Sequence, residues 1–158
     1  MTTGTNNVMN ALRTNVDYKQ LVEVLGDALV VSDAGGVIRL WNGAAERLFG
    51  FTKAEALGNS LDLIIPERLR ARHWAGYNKA MASGDTGYNR ALLRVPAVDK
   101  NRRPLSIAFT VAILFGAEGR VTGIVAVIRD DTRHFAEKRV LHKIFPEEDE
   151  LCRALAEQ

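Results

Sequence analysis

Between Asn42 and Ser83 the apolar residues recur at three- and four-residue intervals, while short runs rich in valine, isoleucine and leucine stand on both sides of that stretch. No other feature constrains the fold so tightly. Upstream, Ala28-Leu29-Val30-Val31 and Val37-Ile38-Arg39-Leu40-Trp41 are divided by Asp33-Ala34-Gly35-Gly36, whose glycines supply the positive φ of a tight hairpin. Downstream, the segments 88–98, 105–115 and 121–129 read as three more strands, broken at 99–104 and 116–119. Links this short join antiparallel neighbours. The expected fold class is α+β: a five-stranded antiparallel sheet, with helices inserted between strands 2 and 3 covering one face.

Tyr18, Leu21, Val22 and Leu25 recur at helical spacing before Gly26, which marks a short amphipathic helix leading into the fold. Asn42 is placed to cap a helix over 43–49, with Gly50 at its left-handed end. Thr52 and Glu55 form a capping box for a second helix, closed by Gly58. A longer helix begins at Pro66 and runs to about Ala82, with Leu69, His73, Tyr77 and Ala80 or Met81 on one face. Arg68, Arg70, Arg72 and Lys79 lie off that line and are expected to stay wet. After Asp130-Asp131-Thr132 the pattern is helical again, with Phe135, Val140 or Leu141, and Ile144 on an apolar side, until Pro146. The chain therefore divides into a flexible N-terminal segment (1–16), a domain (17–132) and a C-terminal helical extension (133–158).

At 158 residues the chain is one domain in size and buries roughly 68–70% of its unfolded surface, enough for a core without disulfides or metal. Its single cysteine, Cys152, has no partner within the chain. The balance of 21 Lys+Arg against 19 Asp+Glu gives no general attraction to nucleic acid. Basic residues do gather between Pro66 and Arg103, but their dispersal reads as a solvated face rather than a phosphate-binding stripe. No run approaches the roughly 18 apolar residues of a membrane span, and the N-terminus lacks a signal-peptide pattern, so a cytoplasmic chain with no membrane partner is expected. Catalytic motifs are missing too: no phosphate loop, no HExxH and no CxxC. The expectation is a protein that is not an enzyme. His134 and His142, eight residues apart, lack the carboxylate companions of a metal site.

In wording as well as order, these segments resemble the PAS family. The resemblance is carried by residues 27–33 with Gly36-Val37-Ile38 and Trp41-Asn42, by 44–51, by 55–58, by Ile65-Pro66, and by 123–132, together spanning about 17–132. Within the family, the piece from Ile64 to His73 is similar to the haem-binding PAS domains of oxygen-sensing histidine kinases. That resemblance implies haem b held by His73 as the axial iron ligand. It places Phe109 and Val111 on the distal side and Asp85 on a similar loop. Where the oxygen sensors carry an arginine that binds oxygen, this chain has Leu93, which shifts the implied input toward CO, NO or redox state.

From the residues alone, a neutral imidazole facing an apolar pocket suits haem iron. The alternative is a core histidine bonded to a backbone carbonyl. Tyr77, one turn on, and Leu69, one turn before, share the cavity-facing side of the helix, and Arg72 and Lys79 are candidates to pair with propionates. Asp130, Asp131 and Thr132 resemble the junction through which PAS domains relay a signal to an output helix, and they also suit a helix N-cap. The expected function is a stand-alone sensory relay acting on a signalling partner protein in trans, with homodimerisation through the N-terminal helix and outer sheet face. The competing function is a ligand-free interaction module whose pocket is filled by Leu69, Phe109, Val111 and Ile128.

Overall fold

The computed structural model describes residues 15–88 and 90–144. Most of the N-terminal segment, Cys152 and the expected break at Pro146 lie outside the described residues.

Five strands form one antiparallel sheet: β1 (Ala28–Asp33), β2 (Ile38–Trp41), β3 (Leu93–Val98), β4 (Pro104–Phe115) and β5 (Val121–Asp130). Their spatial order is β2-β1-β5-β4-β3. The first and last strands thus pair at the centre, from Ala28 opposite Ile128 to Asp33 opposite Gly123. That contact has a steric requirement. A Cβ built on Gly123 would stand 2.1 Å from the Ser32 carbonyl oxygen, so glycine is what lets β1 and β5 approach.

The β1–β2 turn is held by Asp33, whose Oδ1 accepts the N–H groups of Gly35 and Val37 at 3.0 Å each. Gly36 has φ +78°, and a Cβ there would lie 2.2 Å from the Trp74 ring. The turn therefore specifies glycine twice, by backbone angle and by packing.

The helices are α1 (Tyr18–Val24), α2 (Gly43–Phe49), α3 (Lys53–Ala56), α4 (Glu67–Ser83) and α5 (Thr132–Ile144). Their ends follow the expected chemistry. Asn42 Oδ1 accepts from Ala45 N–H, Gly50 is left-handed, and Thr52 and Glu55 make the reciprocal capping box. Pro66 precedes α4 and left-handed Gly84 ends it. α2, α3 and α4 cover one face of the sheet around a core in which Ile38, Trp41 and Phe49 are buried, with the Trp41 and Phe49 ring centroids 5.4 Å apart. Among the described residues no helix is long and apolar enough to cross a membrane.

Three expectations need correction. β3 starts at Leu93 rather than Tyr88, because Gly87 and Arg90 have positive φ and Ala91 N–H closes a turn on the Tyr88 carbonyl. Arg70 is not wet: its guanidinium donates to the carbonyls of Ile65 (3.2 Å) and Asp62 (3.1 Å), tying the start of α4 to the segment before it. In α5, Phe135 does not share a side with Val140, Leu141 and Ile144, since a helix advances 3.6 residues per turn; all four are exposed.

Candidate functional site: an apolar cavity beneath α4

Alternate residues of a strand point to one side, and the observed register aligns them across the sheet. Val30 stands opposite Ala126, and Ala126 opposite Val111; likewise Ile128 stands opposite Phe109. These side chains form the floor of a cavity of about 130 Å³. His73 and Tyr77 of α4, with Leu61, Ile64 and Ile65 before it, form the roof, and Val95 and Ala97 of β3 close one side. Val95, 37% exposed, marks the rim toward solvent.

The polar groups of the wall are few. Ser32 Oγ and the Tyr77 hydroxyl are 2.8 Å apart, and Tyr77 O–H donates to the Asp33 carbonyl. Burial, with the nearby Asp33 charge, raises the Tyr77 phenol above its ordinary pKa although the Ser32 contact lowers it, so it stays protonated. His73 differs. Its Nδ1 is buried with no hydrogen-bond partner, and its ring packs 4.8 Å from Trp74 and 5.7 Å from Tyr77. Burial lowers the imidazole pKa against the opposing charge of Asp62, leaving the ring neutral at pH 7. Among the described residues no charged side chain lines the cavity.

Of the expected site residues, His73, Tyr77, Phe109 and Val111 line this cavity. Leu69 and Leu93 are not part of its wall. Leu69 shares the His73 face, but Leu61, Ile64 and Ile65 complete the roof at that end; Leu93 pairs with Phe109 beyond Val95, at the outer end of β3. Arg72 and Lys79 are exposed on α4 and do not line the cavity either, while Asp85 lies in the exposed loop after α4. Trp74 packs away from the cavity, its indole N–H donating to Asp62 Oδ1 at 2.8 Å.

Asp130, Asp131 and Thr132 come together at the end of β5. Asp131 N–H donates to the Ser106 carbonyl (2.8 Å), Ser106 N–H donates to Thr132 Oγ1 (3.1 Å), and Thr132 N–H donates to Asp130 Oδ1 (2.9 Å). The Asp131 carboxylate, 12% exposed, accepts from Arg94 Nε at 3.2 Å. Arg129 adds a bond to Asp27 at 2.9 Å, joining this junction to the start of β1. Arg94 and Ser106 were not singled out in the sequence, because their roles arise from strand pairing over long separations. Each adjoins a cavity residue: Arg94 precedes Val95, and Ser106 precedes Ile107.

The residues can be tested against haem. A neutral imidazole is a suitable iron ligand, although the Nδ1 of His73 lacks the hydrogen-bond partner that orients a metal-bound histidine. The chamber is not suitable. Pockets for drug-sized ligands run to roughly 300–1,000 Å³, a porphyrin is larger than most of those ligands, and 130 Å³ does not hold the macrocycle. The described conformation does not fit haem.

The family model for the PAS fold matches residues 17–130. The chain belongs to the PAS family, and its sheet and helices are a PAS fold. Over 67 residues it is 40% identical to the sensor protein FixL of Bradyrhizobium diazoefficiens, covering 42% of this chain and 13% of that protein. Over 116 residues it is 26% identical to the oxygen sensor protein DosP of Escherichia coli K12, covering 73% of this chain and 14% of that protein. The chain thus spans a small part of these relatives. Among solved structures, a PAS domain from Colwellia psychrerythraea matches with TM-score 0.65 at 20% identity over 73% of this chain and 95% of that one. An RNA-binding light-oxygen-voltage receptor matches with TM-score 0.68 at 21% identity, over 80% of this chain and 36% of that one. At such identities these structures speak to the fold alone.

Proposed function

We propose that this PAS domain is a sensor in which an occupant of the cavity beside His73 changes the sheet, and the sheet changes the helix that follows it. One observation carries the reading: the cavity residues Val95 and Ile107 are chain neighbours of Arg94 and Ser106, the two residues that hold Asp131 and Thr132. A shift of β3 or β4 therefore reaches the start of α5 across one peptide unit. An occupant moves this equilibrium only by the difference in its affinity for the two states. The output passes through α5, whose exposed Val140, Leu141 and Ile144 offer an apolar side to a partner chain. Homodimerisation through α1 and the outer sheet face belongs to the same reading, supported by exposed Leu21, Val24, Leu114 and Val127.

Haem b with His73 as axial ligand is the second reading, favoured by a neutral imidazole in the cavity wall and by similarity to FixL and DosP. It requires α4 to withdraw from the sheet. Haem titrated into the purified chain is expected to leave the Soret band of free haem unshifted; a shifted, sharpened band that is lost in His73→Ala would establish the second reading. For the sensor reading itself, Ala126→Leu fills the cavity from the β5 side. It is expected to change amide exchange at residues 131–144, and unchanged exchange there in a folded variant would refute the coupling.

A further inference from the structure

We infer that the cavity takes a small neutral molecule of about the size of benzene bearing a single hydroxyl, a phenol-like ligand lying on the sheet with its hydroxyl against the imidazole of His73. This rests on the sensor reading and names its ligand class. Size comes first. An apolar cavity of roughly 150 Å³ holds benzene, so 130 Å³ has room for about one six-membered ring. Charge comes next: with no charged side chain in the wall among the described residues, an anion or cation would enter without a counter-ion, which excludes it on desolvation grounds.

The polar requirement is equally narrow. Ser32 and Tyr77 are bonded to each other and Tyr77 O–H donates to the Asp33 carbonyl, so both hydroxyl protons are committed and these groups can only accept. Among the described residues, His73 Nδ1 is the buried side-chain atom left without a partner. A hydroxyl both donates and accepts, so it satisfies this nitrogen in either imidazole tautomer. A lone water reaches His73 and the free acceptor positions of Ser32 and Tyr77 but leaves the apolar wall unfilled, whereas a ring carrying the hydroxyl covers it. The Tyr77 and Phe109 rings beside it favour a flat ring over a branched chain.

The test titrates phenol, benzene and benzoate into the full chain, followed by calorimetry and by the fluorescence of Trp74, whose ring lies 4.8 Å from His73. Phenol is expected to bind saturably, benzene about tenfold more weakly, as loss of one buried hydrogen bond implies, and benzoate not at all. His73→Leu is expected to bring phenol down to the affinity of benzene. Ala126→Leu, on the opposite wall, is expected to abolish binding of both and serves if His73→Leu does not fold. Equal affinity of the wild type for phenol and benzene, saturable binding of benzoate, or no saturable binding of phenol overturns the proposal. The two readings fail separately. Phenol binding with no change in amide exchange over 131–144 refutes the sensor while keeping the ligand class; a His73-dependent shift of the Soret band refutes the ligand class while keeping the sensor.

Discussion

Asn42 is fully buried, yet all of its amide is used. Its Oδ1 accepts from Leu29 N–H at 2.9 Å and Ala45 N–H at 3.0 Å, and its Nδ2 donates to the Val22 and Asp27 carbonyls at 3.0 and 3.1 Å. One side chain therefore fixes α1, β1 and α2 together. Asn42→Ala leaves two N–H groups and two carbonyls without it and is expected to cost about 3 kcal/mol in urea unfolding, more than a cap alone. Asp33 offers a pH test. Its N–H bonds from Val37 and Gly35 and its pairing with Arg39 hold its carboxyl below the usual value against the opposing effect of burial. A depressed carboxyl stabilises the fold above the unfolded pKa of about 3.9, and that contribution is lost as pH falls through the lower folded value. Asp33→Asn should therefore lower the urea midpoint at pH 7, with the gap to the wild type closing below about pH 4. An equal gap at pH 7 and pH 3 would mean that charge is not the cause.

At the scale of elements, local chemistry was legible wherever a neighbour in sequence supplies the partner. The hairpin glycines, the Asn42 cap, the Thr52–Glu55 box and the Pro66 start of α4 all act within four residues. The start of β3 was not legible, since its apolar run continues back to Tyr88 and only the positive φ of Gly87 and Arg90 removes residues 88–92 from the sheet. Gly123 is a further case: its need arises from the Ser32 carbonyl on another strand. Gly123→Ala is expected to separate β1 from β5 and to lower the melting temperature sharply. At the β5–α5 junction, Asp131→Ala removes an ion pair whose Arg94 is half exposed, so global stability should change by less than about 1 kcal/mol. Amide exchange in the first turn of α5 should nevertheless rise, and equal protection would show that Arg94 does not hold the helix.

For the molecule as a whole, strand number and the antiparallel pattern followed from the order of periodic segments and the family from their wording, whereas the pairing of β1 with β5 at the centre was not read from either. Two properties of the site lay beyond the sequence. Cavity volume depends on small differences in how sixteen lining residues pack, and the one-residue link between cavity and junction depends on register. The outer face of the sheet alternates with the cavity side and exposes Val127 and Leu114. Val127→Glu should shift the chain to monomer in sedimentation if copies pair there, and an unchanged distribution would remove that face from the dimer. The most direct measurement is amide exchange on the full chain with and without saturating phenol. Increased protection in β4 and β5 is expected, together with altered exchange at Ser106 and across the first turn of α5. Protection confined to the cavity strands, with Ser106 and α5 unmoved, would contradict the coupling of cavity to helix.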